Sequence, residues 1–119
     1  MDVEKLVEST GLHEGRIMSI SLRDNNFSLH VDNVFVDLEC KERYNVVMHM
    51  TVQKVTKDDE VVDTLKLEGD GSSIIQFERS GNSATLVVDW IYYKERKTET
   101  RAYEFIFDTF NLQATRQQA

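Results

Sequence analysis

The stretch Arg16-Ile17-Met18-Ser19-Ile20-Ser21-Leu22-Arg23-Asp24-Asn25-Asn26-Phe27-Ser28-Leu29-His30-Val31 decides how the chain folds. Met18, Ile20 and Leu22 alternate with Ser19 and Ser21, and Phe27, Leu29 and Val31 alternate with Ser28 and His30. A period of two puts successive side chains on opposite faces of a strand. Asp24-Asn25-Asn26 lies between the two runs, and these residue types tolerate the positive φ of a tight hairpin turn. The reading is a β-hairpin with one buried and one wet face.

Working outward, the same period continues. Val34, Val36, Leu38 and Cys40 oppose Phe35, Asp37 and Glu39, so this strand either stands alone or continues the previous one through a bulge at Asp32-Asn33. Val46, Met48, Met50 and Val52 form one face of a strand over about 44–55. Val61, Val62, Leu65 and Leu67 fit neither helix nor strand period, leaving a short strand and a helical turn both open. Gly69-Asp70-Gly71-Ser72 and Ser80-Gly81-Asn82 are turns flanking a short strand with Ile75 and Phe77. From Ala84 to Tyr93 both faces are apolar, so this strand is either central and covered on both sides or part of an interface. Tyr103, Phe105 and Phe107 then alternate with Glu104 and Asp108.

Before the hairpin, Val3, Leu6 and Val7 are spaced as the apolar face of a short helix over about 2–9, with Gly11 as its stop. The expected architecture is one domain, mainly β: a short N-terminal helix, an antiparallel meander over about 16–112 and a polar, frayed tail at 113–119. Short turns join about seven or eight strands in chain order, forming a sandwich, roll or open barrel. No helical segment of the length a βαβ crossover needs lies between strands.

The 119 residues suit one domain. No run approaches a membrane span, and Met1 to Lys5 lack the basic and apolar regions of an export signal, so a cytoplasmic protein is expected. Cys40 has no partner for an internal disulfide and reads as a small core residue. Net charge is −7, and the excess lies entirely in residues 1–70, with 15 acidic against 8 basic side chains. Such a field repels nucleic acid phosphates and anionic lipid headgroups and steers a basic protein into contact.

No motif for nucleophilic catalysis, phosphate binding or calcium binding is present, so neither an enzyme nor a cofactor is expected. Three histidines keep an alternative open, a small-ligand-binding barrel or an enzyme. His13 beside Glu14 reads either as a base or as a turn-fixing residue bonded to a backbone carbonyl. His30, Asp32 and His49 read either as a facial metal site or as polar residues on the wet side of a sheet. The partner-binding candidates are Asp58, Asp59, Glu60 and Asp63, within an acidic region running from Asp37 to Asp70, and whichever of Trp90 and Tyr92 is exposed. A homodimer through residues 84–93 is a further alternative.

Leu12-His13-Glu14-Gly15-Arg16-Ile17, the middle Leu65-Lys66-Leu67-Glu68-Gly69 and the late Leu86-Val87-Val88-Asp89-Trp90 resemble small bacterial β-domains found among immunity proteins of polymorphic and contact-dependent toxin systems. Glu14 stands where such domains are more often expected to carry Asp. The resemblance spans most of the chain and implies a cytosolic, acidic, non-catalytic protein that binds and blocks a cognate toxin.

Overall fold

A computed structural model describes residues 2–36 and 42–117. The expected residues Leu38 and Cys40, and the Asp37 end of the acidic region, lie outside them. One helix, α1 (Val3–Ser9), precedes the strands β1 (Arg16–Arg23), β2 (Asn26–Phe35), β3 (Arg43–Lys57), β4 (Glu60–Val61), β5 (Gly71–Ser80), β6 (Ser83–Tyr92) and β7 (Lys97–Arg116). Asp2 caps α1 by accepting from the Glu4 N–H at 3.0 Å. A side-chain hydrogen bond with Glu4 is the largest influence holding the Asp2 carboxyl below its usual value, and this backbone bond adds to it. Among the described residues no helix is long and apolar enough to cross a membrane.

All seven strands form one antiparallel sheet, which is not closed into a barrel. Its main path, β1-β2-β3-β7-β6-β5, with the short β4 paired to the end of β3, follows the chain within each half and departs from it once, where β3 pairs with β7. These two strands are long enough to serve both halves. The first part of β3 pairs with β2, and the end of β7 lies beside it (Tyr44 opposite Arg116). The last part of β3 pairs with the middle of β7 (Lys57 opposite Tyr103), which pairs onward with β6 (Leu86). Register shifts around Val52 bend the pair between the two wings.

The wings enclose one core. Phe27 of β2 meets Phe105 of β7 with ring centroids 4.6 Å apart, and Phe77 of β5 stacks on Phe110 at 6.2 Å. Each such side chain contributes roughly 1.5–3 kcal/mol by leaving water. The hairpin forms as read, with Ile20, Leu22, Phe27, Leu29 and Val31 buried and Asp24 and Asn25 at φ of 51° and 65°, but Met18 does not share that face: a register shift between Ile17 and Ser19 leaves it 46% exposed and buries Ile17 instead. The bulge at Asp32-Asn33 is present, with Asn33 at φ 57°, and β2 runs through it.

The sheet edges approach each other at one seam. Ile74 N donates to Gly15 O at 2.9 Å, Glu14 N to Ile74 O at 3.2 Å, and Ile17 N to Ser72 Oγ at 2.9 Å. Leu12-His13-Glu14-Gly15 is therefore a joint. Leu12 is fully buried, and Gly15 packs so tightly that a β-carbon there would lie 2.4 Å from Val31 Cγ1. Beyond the seam α1 covers the edge of β5: a β-carbon on Gly11 would lie 3.3 Å from both Phe77 N and Phe77 O. Glu8 clasps Arg79 with two hydrogen bonds of 2.9 Å.

Three further local expectations are corrected. The core residues of β5 are Ile74 and Phe77, not Ile75 and Phe77, because a bulge between Ile74 and Gln76 turns Ile75 outward. The stretch 61–67 is neither strand nor helix beyond the two-residue β4; Val62 and Leu65 pack against the core from an irregular strap. The chain does not fray at Ala114, because β3 is long enough to pair with β7 as far as Arg116.

Candidate functional site

The chemistry gathers at the end of the second wing, where β3 turns into β4 and the strap returns to β5. Glu68, on the strap, has a side chain only 15% exposed and draws in three donors from the sheet. Tyr103 Oη donates to its Oε2 at 2.9 Å, Lys57 Nζ lies 3.5 Å from the same oxygen, and Arg101 Nε is 3.4 Å from Oε1. Behind Tyr103, Trp90 Nε1 donates to the phenol oxygen at 2.9 Å. Alternation in β6 and β7 puts Trp90, Arg101 and Tyr103 on the core side, and the strap brings Glu68 to them.

Electrostatics follow from this packing. Burial pushes the Tyr103 phenol far above its ordinary value of 10.0; Glu68 reinforces the shift and the bond from Trp90 opposes it. For Arg101, partial burial works against the charge, but the bond to Glu68 and the charges of Glu99 and Asp58 outweigh it, leaving the guanidinium above its usual value. Arg101 Nη2 reaches Glu99 at 2.9 Å and Nη1 reaches Asp58 at 3.2 Å. The cluster is an ion-pair network that fastens the strap.

The partner-binding candidates divide on this geometry. Asp58 is turned back into the structure: its Oδ1 accepts from Ala102 N at 2.9 Å, and its own N–H donates to Ala102 O at 2.8 Å. Asp59, Glu60 and Asp63 are exposed and have no side-chain hydrogen bond or ion pair among the described residues. Beside them Val61 is 69% exposed. Trp90 is 1% exposed, so the structure removes it from the candidate surface: its position on the core side of a central strand sets the indole against Tyr103. Tyr92 is half-buried near the surface, with Lys97 Nζ 5.1 Å above its ring. Burial, then Glu99 and Glu68, raise its phenol.

The histidines do not assemble. His13 is exposed, 3.9 Å from Glu14 Oε1, and bonds no backbone carbonyl among the described residues; the turn is held instead by Gly15 N donating to Leu12 O at 3.0 Å. Asp32 is clasped by Arg16 through bonds of 3.1 and 2.7 Å. This pairing holds the Arg16 guanidinium above its usual value. His49 Nδ1 is 2.9 Å from Ser28 Oγ, and His30 is exposed. Among the described residues no three of His, Cys, Asp and Glu come together as metal ligands.

Sequence reasoning did not find the Glu68 cluster. Glu68 fell only within the acidic region from Asp37 to Asp70, and its partners lie 11, 33 and 35 residues away. No local pattern signals such a contact.

The fold and this end define the class, an open antiparallel β-domain whose strap is pinned by partly buried ion pairs beside an exposed acidic turn. No protein-family model matches the chain, and no similar chain is found among curated proteins or solved structures.

Proposed function

We propose that the protein is a non-enzymatic binding protein that neutralises a basic protein partner, as its resemblance to toxin-system immunity proteins implies. The observation that carries this reading is the β3–β4 turn. Asp58 and Asp59 take φ of 50° and 70°, which reverses the chain within two residues and projects Asp59 and Glu60 from the end of the sheet. Free carboxylates around the exposed Val61 combine an apolar contact with a charged rim, the arrangement of a protein-binding patch. The charge excess in residues 1–70 adds long-range attraction for a basic partner.

The test is capture of interacting proteins from native lysate on the full chain, at low and moderate salt, beside the triple variant Asp59→Lys, Glu60→Lys, Asp63→Lys. The expected result is one basic protein in stoichiometric amount, retained less at moderate salt and lost with the variant. Retention indifferent to both salt and charge reversal, or no partner at all, refutes the reading.

A further inference from the structure

The second wing carries an outer face that the core does not use. Cross-strand pairing sets Gln76, Val87 and Ala102 in one row, with Ile75 in the bulge beside them. The next row is Glu78, Thr85, Glu104, Thr56 and Val61, followed by Ile106 opposite both Ser83 and Lys54. Alternation places all of these on the side opposite Leu86, Tyr103 and Phe105. Ile75 is 47% exposed and Ile106 38%, and Ala102 is exposed. A flat sheet face facing water is normally polar. Here apolar side chains run across β5, β6, β7 and β4.

The charge around them has one sign in excess. Glu78, Asp89 and Glu104 stand on these strands against Lys54, and the row containing Glu104 ends at Val61 beside the acidic turn. Glu104 has no hydrogen bond or ion pair from its side chain among the described residues. A second copy of this chain would bring the same carboxylates against its own, so the face does not suit self-association. It suits a surface with an apolar centre and Lys or Arg at its margin.

We infer that the outer face of β4, β3, β7, β6 and β5, centred on Val87 and Ala102, is the docking surface for a basic protein with an apolar contact centre. The inference rests on the binding-protein reading and extends its contact area from the turn across the sheet.

A photo-crosslinking residue placed at Val87 in the full chain, or at Ser21 on the outer face of the other wing as a control, is exposed to native lysate and the crosslinked protein is identified. The expected result is one basic protein joined from Val87 and not from Ser21. Its capture should fall about tenfold or more with Ile75→Lys plus Ala102→Lys, both at exposed positions, as expected for a central contact. Unchanged Trp90 emission would show that these variants fold. Crosslinking of the chain to itself from Val87, with a dimer in sedimentation, would overturn the inference in favour of a second copy. A basic partner that is captured through Asp59, Glu60 and Asp63 but crosslinks from neither site, or equally from both, would overturn the face and leave the binding reading standing. Recovery of no basic partner by either route removes both.

Discussion

The Tyr103 hydroxyl donates to Glu68 Oε2 at 2.9 Å across 35 residues of sequence, and through this bond the irregular strap is tied to the middle of the sheet. The same phenol oxygen is the acceptor for the buried Trp90 N–H. One hydroxyl thus satisfies a buried indole and a nearly buried carboxylate at once, so its removal leaves two groups short of a partner.

Tyr103→Phe is therefore expected to destabilise the fold by about 1–3 kcal/mol, although it changes neither the ring nor its packing. Trp90 is the single tryptophan and reports the transition directly. Urea unfolding followed by its fluorescence checks this, and midpoints equal within error would show that the bond contributes nothing.

The raised Tyr103 phenol makes stability fall at alkaline pH. Below about 10 the phenol is protonated in both states and its contribution is fully present. As pH rises past 10 the unfolded chain releases the proton while the folded chain keeps it. Stability then falls by up to ~1.4 kcal/mol per pH unit until the folded phenol also ionises. Tyr92 is shifted the same way, so the variant should reduce the slope without abolishing it. Unfolding free energies between about pH 9 and pH 11 give the comparison, and identical slopes for the natural chain and Tyr103→Phe would contradict it.

Gly15→Ala places a β-carbon 2.4 Å from Val31 Cγ1, 2.9 Å from Leu12 O and 3.1 Å from Val34 Cγ2. Both valines are fully buried, so relief must come from movement of the seam between β1 and β5. The expected cost is about 1–3 kcal/mol. Thermal unfolding measures it, and hydrogen exchange at the Ile74 amide should rise. An unchanged melting temperature would mean that the joint is looser than its geometry.

Asp58 and Asp59 are neighbours with opposite roles. Asp58→Ala removes the acceptor for Ala102 N and a partner of Arg101, and should cost about 1 kcal/mol. Asp59→Gly places glycine at a φ of 70° and should stabilise by a few tenths to ~1 kcal/mol while weakening capture of the basic partner. Stability and affinity moving apart at Asp59 would separate binding from folding. A loss of stability there would show that its carboxylate holds the turn.

The period-two runs marked the hairpin, the faces of β2, β3 and β6 and the bulge at Asp32-Asn33, because strand alternation and turn chemistry act between near neighbours. Ile75 shows where that reasoning stops. A bulge shifts the alternation by one residue, and nothing in Ile74-Ile75-Gln76-Phe77 says which isoleucine turns outward. The acidic candidates show the same limit. Asp58, Asp59 and Glu60 are consecutive and alike in sequence, yet one is consumed by Ala102 and Arg101, 44 and 43 residues away.

The sequence by itself determined an antiparallel β-domain with a leading helix, an acidic first part and the positions of most buried side chains. These follow from local periodicity, residue type and charge. Only the tertiary structure decided that β3 and β7 join two wings, that Trp90 is interior, that Glu68 is a fastener and that Asp59, Glu60 and Asp63 stay free. Each of those outcomes depends on which distant strand arrives beside a residue, and burial and pairing across such distances are properties of the assembled sheet.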